Sequence, residues 1–174
     1  MNNNDTSNNI PNNYSDNSDN NNSKWYSAND IYRLAKEFKR KYPSTIAFRI
    51  RAHSKLVKKF IGSDEEVKYV FLAQKNFKSY EIVNTNIVVL TNKRLLVATK
   101  RFLFGYFYRA ITPDMFNDLT LRSGILWGKV VIDTIKELVV LSNIDKHALA
   151  EIEQNVSGVM MEEKKKYLRE SIRE

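Results

Sequence analysis

Few side chains in this sequence could carry out chemistry, and those that could are not grouped to do so. The only two histidines, His53 and His147, lie far apart, and neither has paired carboxylates beside it at metal-ligand spacing. Cysteine is absent, which excludes thiolate nucleophiles, thiolate metal sites and disulfides and fits an intracellular setting. The five glycines, Gly62, Gly105, Gly124, Gly128 and Gly158, never fall into a phosphate-cradling pattern. Asp64, Glu65 and Glu66 form an acidic run ahead of an apolar stretch and read as a solvated turn. No Ser–His–Asp or two-carboxylate arrangement is supported by spacing. No catalytic residue, metal or cofactor is expected, and the sequence does not read as that of an enzyme.

Binding chemistry is more prominent. Residues 86–111, NIVVLTNKRLLVATKRFLFGYFYRAI, interleave Lys and Arg with apolar strand-forming residues and end in an aromatic run. The candidate contact residues here are Lys100, Arg101, Phe104, Tyr106, Tyr108 and Arg109. A second candidate pair, Lys75 and Lys78, sits in the loop QKNFKSYE. The chain carries a net charge of +8, but residues 24–110 hold 19 basic and 6 acidic side chains. Such an asymmetry favours anionic partners. Thr91, Asn92 and Arg94 read instead as turn chemistry, because Asn tolerates the positive φ that a tight hairpin needs.

Several elements must position these residues. Residues 1–23 are rich in Asn, Ser and Asp and bury too little apolar surface to order, so a disordered tail is expected. No charged and apolar leader pattern opens the sequence, and no apolar run is long enough to span a bilayer. Residues 24–62 read as a helical extension. Ser27 and Asp30 form a capping box ahead of Ile31, Leu34, Ala35, Phe38 and Tyr42 at helical spacing. A second helix is expected over 44–61 with Gly62 as its C-cap, its basic side formed by Arg51, Lys55, Lys58 and Lys59. The period then changes to that of strands, expected at 67–74, 80–90, 94–103, 106–112, 115–122, 126–134 and 137–142. A last helix is expected after Ser142, capped with Asp145, with Ala148, Leu149, Ile152, Val156 and Met160 as its apolar face. Residues 162–174 form a charged extension of it.

Seven short strands followed by one amphipathic helix is the element order of a pleckstrin-homology (PH) fold. The segment VVLTNKRLLV (88–97) is similar to the strand–turn–strand signature of small bacterial PH domains, in which Thr, Asp/Asn, a variable residue and Arg follow an apolar strand. Residues 110–134 and 138–156 resemble the second half and capping helix of such domains. The sequence thus resembles a YokE-like bacterial PH domain, placed at 63–161. The resemblance implies an α+β fold that is mainly β: a seven-stranded half-open barrel capped by a C-terminal helix and preceded by one or two N-terminal helices. It implies no particular ligand, because PH folds host lipid, peptide and self-association functions.

The hairpin ending in Phe102–Tyr108 is apolar on both faces. One face can fill a barrel; the other must meet the N-terminal helices, a second copy, a peptide or a lipid. The first functional reading is a non-catalytic module that binds a protein partner or itself. The alternative is peripheral binding to anionic membrane lipids through the basic–aromatic hairpin. Nucleic acid is not favoured, because no recognition signature accompanies the basic residues. A cytoplasmic location, at most peripheral to a membrane, is expected.

Overall fold

Ser27 starts the first helix as its spacing predicts. Its side chain accepts from Asp30 N–H while the Asp30 carboxylate accepts from Ser27 N–H. The computed structural model describes residues 26–74 and 85–171. In chain order they form α1 (Ala28–Lys41), α2 (Ile50–Lys58), β1 (Val67–Gln74), β2 (Thr85–Thr91), β3 (Leu95–Lys100), β4 (Tyr106–Ile111), β5 (Phe116–Ser123), β6 (Trp127–Thr134), β7 (Leu138–Asp145) and α3 (Leu149–Ser171). Short 3₁₀ turns precede β5 and α3. The tail at 1–23 and the Lys75/Lys78 loop lie outside the described residues.

All strand pairs are antiparallel, in the order β4-β3-β2-β1-β7-β6-β5. The sheet curls into a half-barrel. Arg109 on the β4 edge meets Glu137, in the turn between β6 and β7, at 2.6 Å. α3 contributes Leu149, Ile152, Val156 and Met160 to the core and continues through Ser171.

The central strands are buried on both faces. Every residue of β2 is buried, as are all of β3 but its last. The register places Val70, Leu72, Ile87, Val89, Leu96 and Ala98 on one face and Phe71, Val88 and Val97 on the other. α2 packs on β2 and β3, and α1 on β1 and α2. The Phe60 ring stacks on Tyr108, which sits opposite Ala98, with centroids 3.9 Å apart. Phe38 of α1 meets Tyr69 and Phe71. Helices and strands therefore share a single hydrophobic core. Each fully buried Val, Leu or Ile side chain on the covered face contributes roughly 1.5–3 kcal/mol.

The second helix is shorter than the sequence predicts. It begins at Ile50 because residues 44–48, a turn followed by irregular backbone, are tied to the barrel where β1 and β7 separate. Those two strands are paired at Gln74 and Ser142. Ser44 N–H donates to Asp145, Thr45 Oγ1 accepts from Asp145 N–H, Ile46 N–H donates to the Asn143 carbonyl, and Phe48 N–H donates to Thr85 Oγ1. The change of direction falls on Arg49, whose φ is 53°, a left-handed conformation costing of order 1 kcal/mol. α2 ends at Lys58, capped by Lys59 and not Gly62. Ser142 is likewise not a helix cap: it lies in β7 and donates to the Gln74 carbonyl. Asp145 does cap the 3₁₀ turn, accepting from His147 N–H.

Two hairpins close by the same device. Thr91 Oγ1 accepts from the N–H of Lys93 and Arg94 and donates to the Arg94 carbonyl. Thr134 Oγ1 does the same with Lys136 and Glu137. The β6–β7 turn thus forms without the Gly or Asn that tight hairpins favour, because a threonine hydroxyl supplies the turn's hydrogen bonds.

Gly128 in β6 is required by contact. A Cβ there would collide with Leu149 Cδ1 and lie 2.9 Å from Leu149 Cγ, with Leu149 itself buried. Gly128→Ala is expected to destabilise the protein by about 1–3 kcal/mol, read by denaturant melts. Combining it with Leu149→Ala should cost less than the sum of the two single changes.

Candidate functional site

The base of the β3–β4 hairpin is held from one side by α2. His53 is buried, and its Nδ1 accepts from the Lys100 N–H at 2.8 Å where β3 ends. Burial lowers its pKa to about 4, with Arg49 adding to the effect and a hydrogen bond to the Phe48 backbone opposing it. The ring is therefore neutral, and its acceptor nitrogen is fixed by this contact. The loop from Arg101 to Gly105 is closed by a bond from Arg101 N–H to the Gly105 carbonyl, with Gly105 at φ 77°. Glycine adopts that conformation at little cost.

Beyond this base no described residue covers the hairpin tip. Phe102, Leu103 and Phe104 are 69%, 75% and 86% exposed. Lys100 and Arg101 are exposed beside them, and the Arg49 guanidinium lies 5.4 Å from the Phe102 ring centroid. Among the described residues, Arg49, Lys100 and Arg101 make no ion pair with a carboxylate. Phe48 is half exposed next to Arg49. The result is an apolar knob on a cationic base, an amphipathic surface.

The sequence candidates divide along this geometry. Lys100, Arg101, Phe104 and Tyr106 are exposed. Tyr108 is half-buried under Phe60, and Tyr106 sits at that stack's edge, 5.7 Å from Phe60. Arg109 is committed to Glu137 and packs over Phe107. Lys75 and Lys78 lie outside the described residues. Thr91 closes its hairpin, and Asn92 Oδ1 accepts from Glu66 N–H. Arg94 donates to the Phe60 carbonyl at 3.0 Å and meets the buried Glu65 at 2.6 Å, fastening the end of α2 to the β2–β3 turn. Phe48, Arg49 and Phe102 join the surface although they were not among the sequence candidates. Phe48 and Arg49 fall in a stretch whose periodicity reads as helix, so no local signal exposes them.

A second polar cluster binds α1 to the barrel. Glu151 of α3 accepts from Lys41, Tyr42 and Tyr69, the last at 3.1 Å. Burial alone would push the Glu151 carboxyl up; the three donors outweigh it and hold its pKa below the usual carboxylate range. Among the described residues no group of three His, Cys, Asp or Glu side chains is placed to hold a metal ion. No described helix is long and apolar enough to cross a membrane.

A curled seven-stranded antiparallel half-barrel with a C-terminal capping helix and an exposed hairpin beside it defines a PH-like module, a class that generally binds and does not catalyse. The family model described as "Bacterial PH domain" matches residues 61–157, and the chain belongs to that family. No curated protein matches it. The match leaves out α1 and α2, which complete the core of the domain.

His53 gives the fold a specific pH dependence. The unfolded chain takes up a proton at this residue below about pH 6.5, whereas the folded chain refuses it until about pH 4. Stability is thus unaffected by this group above pH 6.5 and falls as pH drops through that window. From pH 7 to 5 the loss is expected to be about 2 kcal/mol. His53→Asn, which keeps an acceptor near the Nδ1 position, should flatten that slope in urea titrations. An equal slope in both proteins would rule the assignment out.

Proposed function

We propose that the protein is a non-catalytic module that docks peripherally on an anionic membrane surface through the β3–β4 hairpin. One observation carries this reading: three consecutive large apolar side chains, Phe102, Leu103 and Phe104, project from a hairpin whose base bears Lys100, Arg101 and Arg49, with no carboxylate partner among the described residues. Exposed apolar residues in a row are costly in water and usually mark a contact surface. An exposed apolar knob on a cationic base matches an acyl boundary beneath anionic headgroups better than it matches a small-molecule pocket. Each Lys or Arg near such a surface contributes about 1 kcal/mol.

Co-sedimentation with vesicles tests the proposal. At low salt the protein should pellet with vesicles containing phosphatidylserine and remain in solution with pure phosphatidylcholine. Phe102→Asp/Phe104→Asp should weaken binding at least about tenfold, equal to about 1.4 kcal/mol, without lowering the melting temperature. Equal behaviour with the two vesicle types would overturn the proposal. If that protein also ran as a dimer by size exclusion with light scattering, and the double variant as a monomer, the hairpin would instead be a self-association surface.

A further inference from the structure

The helices outside the family segment form a groove of their own. It has a volume of about 660 Å³ and is lined by Tyr32 and Lys36 of α1, by Arg51 and Lys55 of α2, and by Phe48 and Arg49 of the segment entering α2. Tyr32 and Lys36 are one turn apart on their helix, as are Arg51 and Lys55 on theirs, so each pair shares a face. Among the described residues no carboxylate lines the groove. Among the described residues, none of its four cations is in an ion pair. Two are positioned by aromatic rings: Arg51 lies 4.5 Å from the Tyr32 centroid, and Arg49 lies over Phe102. Rings orient these guanidiniums without cancelling their charge. Three of these cations stand on the two packed helices and Arg49 stands on the segment entering α2, and with no carboxylate among the described residues to balance them they favour an anion in the groove.

The Arg49–Phe102 contact makes the groove continuous with the hairpin tip. We propose that the groove takes the phosphate-bearing headgroup of an anionic lipid, with Lys36, Arg49, Arg51 and Lys55 as its ligands, while the neighbouring tip enters the acyl boundary. This inference rests on the membrane reading above and adds to it a headgroup site built by α1 and α2.

The test uses the full chain and phosphatidylserine-containing vesicles. Lys36→Glu/Arg51→Glu is compared with Arg122→Glu/Lys129→Glu, an equal charge change at exposed positions of β5 and β6. The groove variant should bind at least about tenfold more weakly than wild type, and the control within about twofold of it. Lys36→Gln/Arg51→Gln/Lys55→Gln provides a milder set should charge reversal disturb folding, checked by circular dichroism, and should also weaken binding. Equal losses in groove and control variants would overturn the headgroup site, leaving only diffuse charge. So would a groove variant that binds like wild type while Phe102→Asp/Phe104→Asp does not; that result would keep the membrane reading and remove the groove. A wild-type protein that ignores anionic vesicles would overturn both.

Discussion

The fold depends on covering the outer face of β2 and β3. Strands that alternate apolar and polar residues can leave one face in water. Here β2 reads Thr-Asn-Ile-Val-Val-Leu-Thr and is buried along its whole length, so both of its faces need a partner. α3 and the curl of the sheet fill the barrel, while α2 covers the other side. The cover is fastened at three places. His53 accepts from Lys100 N–H, Arg94 holds the Phe60 carbonyl and Glu65, and residues 44–48 bond to β7 and β2. The family segment, 61–157, begins after both helices. It therefore carries an apolar face whose cover is encoded upstream.

This arrangement explains why the hairpin is presented as it is. Its base is gripped by His53 on one strand and by the Phe60 stack on the other, so β3 and β4 are held to the body of the domain. α2 begins at Ile50, level with the end of β3, and among the described residues the cover does not reach Phe102, Leu103 or Phe104. The same linker that fastens the helices turns at Arg49 and places a guanidinium on Phe102. Structural cover and proposed docking surface thus meet at one residue, whose left-handed backbone follows from the change of direction there.

The sequence revealed elements whose causes are local. The Ser27–Asp30 capping box, the apolar stripe of α3 and the limits of β1 all follow from short-range spacing. The Thr-Asn-x-Arg signature located the β2–β3 hairpin. Features set by distant partners were not legible. The 44–48 segment has helical periodicity, yet partners about a hundred residues away, Asn143 and Asp145, hold it out of a helix. Tyr108 and Arg109 look equivalent to Tyr106 and Lys100 in sequence. Phe60 and Glu137 take them out of the exposed surface, and neither neighbour is near in the chain. Arg51 and Lys55 were visible only as part of a basic helix side; that they share a groove with Tyr32 and Lys36 is a tertiary fact.

The central claim is that α1 and α2 are part of the domain's cooperative core. Native-state hydrogen exchange measures this directly. The amides of Leu56 and Val57 in α2 and of Leu96, Val97 and Ala98 in β3 should exchange with the same opening free energy, equal to that of global unfolding. They should respond together to urea. If α2 instead opened at a free energy several kcal/mol below that of β3, with β3 still protected, the helices would be an appendage and the claim of a shared core would be contradicted.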